Sequence, residues 1–221
     1  MRRRGAYLPR PTAVPALPGS DAVVFLDKDG TLIENLPYNV APTRIRLAAG
    51  AVGALRRLAA AGFRLAVVSN QPGVAFGRFP ERALRDVRAR IEALLALAGV
   101  SLAGFYYCPH HPGGTVRGYA VPCSCRKPAP GLVLRAAHEL GAELRRSWLI
   151  GDILDDMEAG NRAGCRTVLL DVGNETEWVR APQREPDRVV RDLAAAADYI
   201  LTSGRDGADA LARGIAARSA P

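Results

Sequence analysis

Residues 22–31 read AVVFLDKDGT, an apolar run that ends in two aspartates and a glycine. The run is rich in β-branched and aromatic residues, which predicts a strand buried on both faces, as in a parallel sheet. Asp27 and Asp29 stand at i and i+2, so both side chains face the same side if the backbone stays extended. Two carboxylates are therefore expected to converge at the end of this strand.

The same pattern recurs along the chain, because apolar runs alternate with amphipathic stretches. An amphipathic helix is predicted over residues 49–62, where a glycine ends it, and a second buried strand over residues 64–69. Further helices are predicted over residues 80–98, 131–140, 155–163 and 189–197, and further strands over residues 104–108, 148–150, 167–171 and 199–201. This alternation predicts an α/β fold, a Rossmann-like, doubly wound parallel sheet that binds ligands at the carboxyl ends of its strands.

Length and composition predict one globular domain. The chain has 221 residues, of which 48% are hydrophobic and 24% charged, and its net charge is +8. We expect a folded domain over residues 21–202, a disordered Arg- and Pro-rich leader over residues 1–20, and a helix or tail over residues 203–221. No apolar run is long enough for a membrane span, and the leader lacks an apolar signal core, so we expect a cytoplasmic protein.

A third aspartate follows another predicted strand. Asp152 stands there, and Asp155 or Asp156 lies about one helical turn later. Carboxylates gathered in one crevice repel each other unless a hard cation lies among them, and oxygen ligands suit Mg²⁺. The alternative is that DKDGT is only a strand-to-turn connection.

Two further residues favour a phosphate site over that alternative. Ser69 and Lys127 supply the hydrogen-bonding and positively charged groups that a phosphoryl group needs. In such a site one aspartate can attack phosphorus, while a second protonates the leaving oxygen and then activates water. The cluster therefore predicts Mg²⁺-dependent phosphoryl chemistry.

A cysteine- and histidine-rich loop precedes Lys127. Its spacing is Cys108-x-His110, twelve residues, then Cys123-x-Cys125. Each pair at i and i+2 places both side chains on one side of an extended segment, which selects His110 over His111. Three thiolates and one imidazole make a closed, structural Zn²⁺ site. A disulfide between Cys108 and Cys123, or thiols that merely pack, are the alternatives.

Four segments together resemble the motifs of the haloacid dehalogenase superfamily of phosphohydrolases: FLDKDGTL, VVSNQPGVAFG, CRKPAPGL and GDILDDMEAGNRAG. The resemblance implies that Asp27 is the nucleophile and forms an aspartyl phosphate, and that Asp29 is the general acid and base. It implies that Ser69 and Lys127 stabilise the phosphoryl group, and that Asp27, Asp152 and the backbone carbonyl of Asp29 hold Mg²⁺. The intervals between the motifs leave little room for the family's cap domain, so we expect a capless, open site.

The cysteine loop narrows this resemblance. A C-x-H…C-x-C loop just before the third-motif lysine is similar to the loop of D-glycero-D-manno-heptose 1,7-bisphosphate phosphatases and of the related histidinol phosphatases. The segments YYCPHHPGG, CSCRKPAPG and SNQPGVAFG match the heptose group more closely. The resemblance implies that five residues contact the substrate: Asn35, Tyr38, Asn70, Gln71 and Arg126. Of these, Arg126 would bind the phosphate that is not hydrolysed. One departure is Ile153, where the family commonly carries a lysine, so a cation is missing from the rim of the site.

The resemblance implies a phosphoric monoester hydrolase that removes the C7 phosphate of D-glycero-D-manno-heptose 1,7-bisphosphate. Its partner would be this small phosphorylated sugar, and we expect a monomer that binds neither nucleic acid nor membranes. A histidinol-phosphate phosphatase is the nearest alternative. A zinc-stabilised nucleic-acid-binding module is an alternative of a different class, motivated by the positive charge. It is disfavoured because the cysteine spacing matches no DNA-reading finger and the carboxylate crevice would repel a phosphodiester backbone.

Overall fold

The structure of the protein is a computed structural model that describes residues 21–203. The predicted leader over residues 1–20, and the predicted tail beyond residue 203, lie outside the described residues. The strands are β1 (Val23–Leu26), β2 (Arg64–Asn70), β3 (Gly104–Cys108), β4 (Trp148–Gly151), β5 (Arg166–Leu170) and β6 (Arg188–Val190). The helices are α1 (Ala51–Ala60), α2 (Ala83–Ala96), α3 (Gly131–Leu140), α4 (Leu154–Ala163) and α5 (residues 193–203).

The six strands form one parallel sheet in the order β3-β2-β1-β4-β5-β6. In the register of the central strand, Leu26 lies opposite Val67 of β2 on one side and Ile150 of β4 on the other. The chain builds outward from β1 first to one side and then to the other, so the strand order reverses between β1 and β4. Ligands of doubly wound sheets bind at this reversal, outside the carboxyl ends of the strands.

Helices cover both faces of the sheet. Helices α1, α2 and α5 pack on one face, and α3 and α4 pack on the other. Helix α2 shows why its sequence folds this way, because Leu84, Val87, Ile91 and Leu95 recur at helical spacing and are fully buried. Burial of each such leucine or isoleucine contributes about 1.5–3 kcal/mol to folding. The strands, apolar on both faces, are the core between the two helical layers.

The last two elements differ from the sequence prediction, which placed a helix over residues 189–197 and a strand over residues 199–201. The structure has the strand first, as β6, and the helix second, as α5. Leu193, Ala196, Ala197 and Ile200 are buried at i, i+3, i+4 and i+7, which is the spacing of a helix face. The short apolar run at residues 199–201 is the continuation of that face.

No separate cap domain is inserted within the described residues. The chain between β1 and β2 forms a short 3₁₀ turn (Pro42–Arg44) and α1, and the chain between β2 and α3 forms α2, β3 and the cysteine loop. The edge of the sheet at the ends of β1, β2 and β4 is therefore reached through loops alone. Within residues 21–203, no helix combines the length and apolar character that crossing a membrane requires.

Candidate active site

Lys127 occupies the centre of the cluster at the end of β1. Its ammonium donates to Oδ1 of Asp27 at 2.5 Å, to the carboxylate of Asp156, and to the backbone carbonyl of Val68 at 3.1 Å. Only 1% of Lys127 is exposed. Burial alone would lower the pKa of this lysine, but the carboxylates of Asp156 and Asp27 outweigh burial and raise it. The side chain is therefore a fixed cation between two aspartates.

Three carboxylates lie together around this cation. Asp27, Asp152 and Asp156 each offer an oxygen, and these oxygens lie within 4.8 Å of one another. Asp156 can approach the end of β4 because the last residue of this strand is a glycine: a Cβ on Gly151 would lie 2.3 Å from Cγ of Asp156. The sequence left open whether Asp155 or Asp156 joins the cluster. The structure places Asp156 there, whereas Asp155 pairs with Arg184.

The electrostatics of these carboxylates suit a hard cation. Burial raises the pKa of Asp152 to about 6, and the neighbouring Asp27 adds to this effect. Burial also raises the pKa of Asp156, although the Lys127 ammonium opposes it. A single lysine does not neutralise three carboxylates, so a divalent ion with oxygen ligands would relieve the remaining repulsion. The donor set therefore fits Mg²⁺.

The carboxylate of Asp29 lies outside this group of three. The sequence predicted that Asp27 and Asp29 face one side if the backbone stays extended, but β1 ends at Leu26 and the chain turns at Gly30, which has φ +83°. The carboxylate of Asp29 accepts from Nζ of Lys28 at 2.7 Å and from Nε2 of Gln71 at 2.9 Å. Burial raises the pKa of Asp29, and the adjacent Lys28 opposes this shift. Asp29 is therefore not one of the three clustered carboxylates, although the charge of Asp27 also contributes to raising its pKa.

The chain contains only two lysines, Lys28 and Lys127, and 1% of each is exposed. Both donate to an aspartate of the DKDGT segment. Apart from these two lysines and the histidines, every basic residue in the chain is an arginine. A compact ammonium can sit at the centre of several oxygen acceptors, which a planar guanidinium cannot do as easily. The placement of the two lysines is consistent with that difference.

The segment after β2 connects these groups. Ser69 is fully buried, and its Oγ accepts from Nε2 of Gln71 at 2.9 Å. Asn70 binds the backbone of Lys127 in both directions: its Nδ2 donates to the carbonyl and its Oδ1 accepts from the amide, each at 3.0 Å. The polar atoms of Asn70 therefore hold the lysine-bearing loop against the end of β2.

The other predicted substrate residues lie around the cluster. Asn35 and Tyr38 are exposed, and Tyr38 has a positive φ of 56° and lies 5.7 Å beneath the guanidinium of Arg78. Ile153 immediately precedes α4, and its amide donates to Oδ2 of Asp156 at 3.4 Å. Arg126 is partly buried, and its Nη1 is buried without a hydrogen-bond partner among residues 21–203. Burial of this donor without a partner is unfavourable, so an anion that reached it would gain a hydrogen bond.

Three residues that the sequence analysis did not identify contact this site. Thr31 donates to Oδ1 of Asp152 at 3.1 Å, Asn174 donates to Oδ2 of Asp152 at 2.7 Å, and Glu175 accepts from the amide of Leu154 at 2.7 Å. Thr31 follows DKDG directly in the sequence, and this adjacency could have predicted that it contacts the site. Asn174 and Glu175 come from the segment between β5 and β6, for which the sequence carries no local pattern.

The cysteine loop brings four ligand atoms together beside the carboxylate cluster. Cys108, His110, Cys123 and Cys125 offer atoms within 4.8 Å of one another, with Sγ–Sγ distances of 3.5, 3.1 and 3.4 Å. All four cysteines of the chain are free, so the disulfide alternative does not hold in this structure. His111 lies outside the group, against the ring of Phe76.

The electrostatics of the loop thiols favour a shared positive charge. The hydrogen bond between Cys108 and Cys125, together with burial, raises the pKa of Cys108, and the same hydrogen bond lowers the pKa of Cys125 to about 5. A tetrahedral Zn²⁺ site has Sγ–Sγ edges of about 3.8 Å at ordinary Zn–S lengths. The observed distances are slightly shorter than this, and the group fits one metal ion.

Comparisons with known proteins agree with this geometry. Residues 124–196 match the family model described as HAD-hydrolase-like. The chain is 36% identical over 183 residues to the D-glycero-β-D-manno-heptose-1,7-bisphosphate 7-phosphatase of Yersinia pestis, covering 83% of this chain and 91% of that protein. It is 40% identical over 184 residues to the protein of the same name from Pasteurella multocida, covering 83% of this chain and 92% of that protein.

A solved structure of a heptose bisphosphate phosphatase is also similar to this chain. The D,D-heptose 1,7-bisphosphate phosphatase of B. bronchiseptica, complexed with magnesium and phosphate, superposes with a TM-score of 0.68 at 28% sequence identity. The match covers 82% of this chain and 99% of that one, so the similarity extends over the whole fold. In that protein, magnesium and phosphate are bound together.

Proposed function

The chain belongs to the family of D-glycero-β-D-manno-heptose-1,7-bisphosphate 7-phosphatases among the HAD-like phosphohydrolases, and we propose that it removes the C7 phosphate of this sugar bisphosphate. It is a phosphoric monoester hydrolase. The observation that carries the proposal is the arrangement at the end of β1, where Asp27 binds the buried Lys127 beside Asp152 and Asp156. A nucleophile, a fixed cation and a carboxylate site for a metal ion therefore meet at one point.

In the first step, an oxygen of Asp27 attacks phosphorus, and the bond between phosphorus and the C7 oxygen breaks. Asp29 gives its proton to that oxygen, so the sugar leaves as an alcohol and Asp27 carries the phosphoryl group. The raised pKa of Asp29 supports this role, because it keeps the protonated form accessible closer to neutral pH. Lys127 and Ser69 would stabilise the negative charge on the phosphoryl oxygens.

In the second step, Asp29 takes a proton from a water molecule, and the oxygen of that water attacks phosphorus. The bond between phosphorus and Asp27 breaks, which releases inorganic phosphate and restores both aspartates. Bound Mg²⁺ would supply positive charge that neutralises the phosphoryl oxygens and the carboxylates. Asp27, Asp152 and the backbone carbonyl of Asp29 are the proposed ligands, and Asp156 fixes Lys127 beside them.

The rest of the substrate would bind at the loops around this point. Asn35 contacts Asn174, a partner of Asp152, and Tyr38 lies in the same loop as Asn35. Gln71 bridges Asp29 and Ser69. Arg126 would bind the phosphate that stays on the sugar. Asn70 would act by holding Lys127, since its polar atoms bind the lysine backbone. Ile153 supplies no cation, so Arg126 is the proposed anchor of the second phosphate.

We further propose that the four cysteine-loop ligands bind a structural Zn²⁺ ion. Their number, their thiolate and imidazole chemistry and their mutual distances support it. The four free cysteines support a reducing cytoplasm. Both candidate metal sites lie in one chain within residues 21–203, which supports a working monomer whose folded domain spans residues 21–202.

Phosphate release tests the proposal. The assay compares the α and β anomers of heptose 1,7-bisphosphate with fructose 1,6-bisphosphate and histidinol phosphate, with and without Mg²⁺. We expect Mg²⁺-dependent turnover with preference for a heptose, the β anomer being the one in the relatives' name. Preference for histidinol phosphate would overturn the substrate. Asp27→Asn should abolish turnover, with the exposed ion-pair variant Asp198→Asn as control; activity retained in Asp27→Asn would exclude the mechanism.

A further inference from the structure

The segment between β5 and β6, residues 171–187, turns back over the carboxylate cluster. Within it, Nδ2 of Asn174 donates to Oδ2 of Asp152 at 2.7 Å. The other oxygen of Asp152 accepts from Thr31 at 3.1 Å. Each carboxylate oxygen has two lone pairs, so both hydrogen bonds leave acceptor positions for a metal ion. The orientation of Asp152 is therefore set by two donors, one of which comes from a distant part of the chain.

The same amide reaches the substrate side of the site. Oδ1 of Asn174 accepts from Nδ2 of Asn35 at 3.2 Å. Asn35 lies in the loop that follows β1, and it is one of the residues proposed to contact the sugar. A single side chain thus uses its donor on a proposed metal ligand and its acceptor on a proposed substrate ligand.

The neighbouring residue keeps Asn174 in place. The carboxylate of Glu175 accepts from the amide of Leu154, in the first turn of α4, at 2.7 Å, and from its own segment at Glu177. Arg184, near the end of the segment, pairs with Asp155 in the same helix. The segment is therefore tied to the beginning of α4, the helix that carries Asp156.

The packing around Asn174 is tight. A Cβ placed on Gly30 would lie 2.4 Å from Nδ2 of Asn174 and 2.2 Å from Oδ2 of Asp152. The amide therefore fills the space above the DKDGT turn, between Asp152 and the loop that begins there. Such a placement leaves little freedom for the metal-facing carboxylate.

We propose that Asn174 is a positioning residue that couples metal binding at Asp152 to the placement of Asn35 against the substrate. This inference rests on the proposed function. The amide donates to Asp152 in its ionised form, which is the form that binds Mg²⁺. Partners of metal-binding carboxylates typically change metal affinity by about 10–100-fold when they are removed. The link to Asn35 extends the effect of this one side chain to the sugar.

The test measures Mg²⁺ binding to the substrate-free protein by titration calorimetry, with Mn²⁺ and its paramagnetic resonance signal as a second probe. Asn174→Ala should weaken binding about tenfold. Asn35→Ala should leave metal affinity within about twofold of the unchanged protein and raise KM. The double variant should raise KM by less than the product of the two single effects, because both remove the same contact.

Asn161→Ala is the matched control. This asparagine also fixes the segment, since it donates to the backbone carbonyls of Gln183 and Glu185 at 3.0 and 2.8 Å, but it contacts none of the clustered carboxylates. We expect a lower Tm and unchanged Mg²⁺ affinity. Equal weakening by Asn161→Ala and Asn174→Ala would overturn the proposal, because the cause would then be a loosened segment.

A folded Asn174→Ala variant that binds Mg²⁺ as tightly as the unchanged protein would also overturn it. Metal binding is measured without substrate, so this result is independent of which sugar the enzyme hydrolyses. If the unchanged protein fails to hydrolyse any heptose bisphosphate while Asn174→Ala still loses Mg²⁺ affinity, the proposed substrate is wrong and the positioning of Asp152 stands. If KM effects of the two single variants multiply, the coupling to Asn35 is excluded.

Discussion

At the scale of single residues, the site depends on how one buried ammonium balances several carboxylates. Lys127 contacts Asp27 and Asp156, and Asp152 lies in the same group. Removing one partner of a buried pair costs more than the pair contributes, because it leaves the other charge buried and uncompensated. The lysine should therefore matter to folding as well as to turnover.

Lys127→Met should abolish measurable turnover and lower the free energy of unfolding by about 3–5 kcal/mol at pH 8 in the absence of metal. The loss should be smaller at pH 5. The pKa values of Asp152 and Asp156 are already raised, and loss of the ammonium raises them further above their unfolded values, so the folded variant binds more protons and gains stability as pH falls. The lysine is cationic at both pH values, because its pKa is raised.

Urea unfolding of both proteins at pH 5 and pH 8 measures these losses. Arg135→Met is the control, because this arginine forms a half-exposed pair with Glu139 on α3. We expect a change below about 1 kcal/mol at either pH for this variant. A Lys127→Met loss that does not depend on pH would contradict the electrostatic explanation.

Gly30→Ala tests the geometry of the DKDGT turn. Gly30 has φ +83°, and its added Cβ would lie 2.2 Å from Oδ2 of Asp152. The left-handed backbone costs an alanine about 1–2 kcal/mol, and Asp152 must move as well. We expect at least tenfold weaker Mg²⁺ binding.

Gly53→Ala in α1 is the control, because its added Cβ meets no atom within 4 Å. This variant should instead stabilise the protein by about 0.5–1 kcal/mol. Unchanged Mg²⁺ affinity in Gly30→Ala would show that Asp152 tolerates displacement.

At the scale of elements, the sequence predicted the parts of the site that have local signals. Asp27 and Asp152 each follow a short apolar strand directly, and the cysteine loop carries its ligands in i, i+2 pairs. The backbone geometry converts such short spacings directly into position. The predicted order of the last helix and strand was wrong, because a short apolar run can belong either to a strand or to the end of a helix face.

The rest of the site arises from contacts between distant segments. Asn35 and Asn174 are 139 positions apart, and their contact depends on how the segment between β5 and β6 folds back. The direction of Asp29 depends on a turn that begins just after β1, where an extended backbone was assumed. Neither feature leaves a periodic pattern, so hydrophobic periodicity and ligand spacing could not reveal them.

The cysteine loop should support catalysis through its position in the chain. Cys125 lies two residues before Lys127, and the amide of Gly131 donates to the carbonyl of Ser124 at 3.0 Å. Cys123→Ala should lose bound Zn²⁺ and lower kcat. Loss of the ion should lower the free energy of unfolding by about 2–4 kcal/mol, as removal of a cross-link does, and should therefore lower Tm by about 5–15 °C.

Metal content by atomic absorption, Tm and kcat are measured together on Cys123→Ala and Cys165→Ala. Cys165 lies outside the loop and is buried among residues of α3 and α4. The control should keep one Zn²⁺ ion per chain and most of its kcat. Full Zn²⁺ content in Cys123→Ala, or its loss in Cys165→Ala, would show that the ion is bound elsewhere.

At the scale of the whole molecule, the parallel sheet brings charged and polar groups from four connections together at the carboxyl ends of its strands. The ends of β1, β2 and β4 and the loop before α3 each supply part of the site, while the helices cover the apolar faces. The chain as a whole carries a net charge of +8, which attracts phosphorylated substrates. The carboxylate cluster has the opposite sign, so a metal ion is needed before an anion can bind there.

This electrostatic requirement predicts how the stability of the protein depends on pH. The pKa of Asp152 is raised to about 6, so the folded, metal-free protein holds a proton that the unfolded chain has lost between about pH 4 and pH 6. A folded acid with a raised pKa destabilises the protein as pH rises through that window. Mg²⁺ competes with this proton, so its stabilising effect should grow as pH rises.

At an Mg²⁺ concentration about 100 times its dissociation constant at pH 7.5, the ion should add about 2.7 kcal/mol to the free energy of unfolding. At pH 5, about one unit below the pKa of Asp152, the apparent affinity should fall about tenfold, and the gain should shrink by about 1.4 kcal/mol. Urea unfolding with and without Mg²⁺ at both pH values measures the difference directly. Asp152→Asn, which cannot titrate, should remove most of the Mg²⁺ effect at both pH values. An Mg²⁺ gain in the unchanged protein that is equal at pH 5 and pH 7.5 would mean that the ion binds away from this cluster.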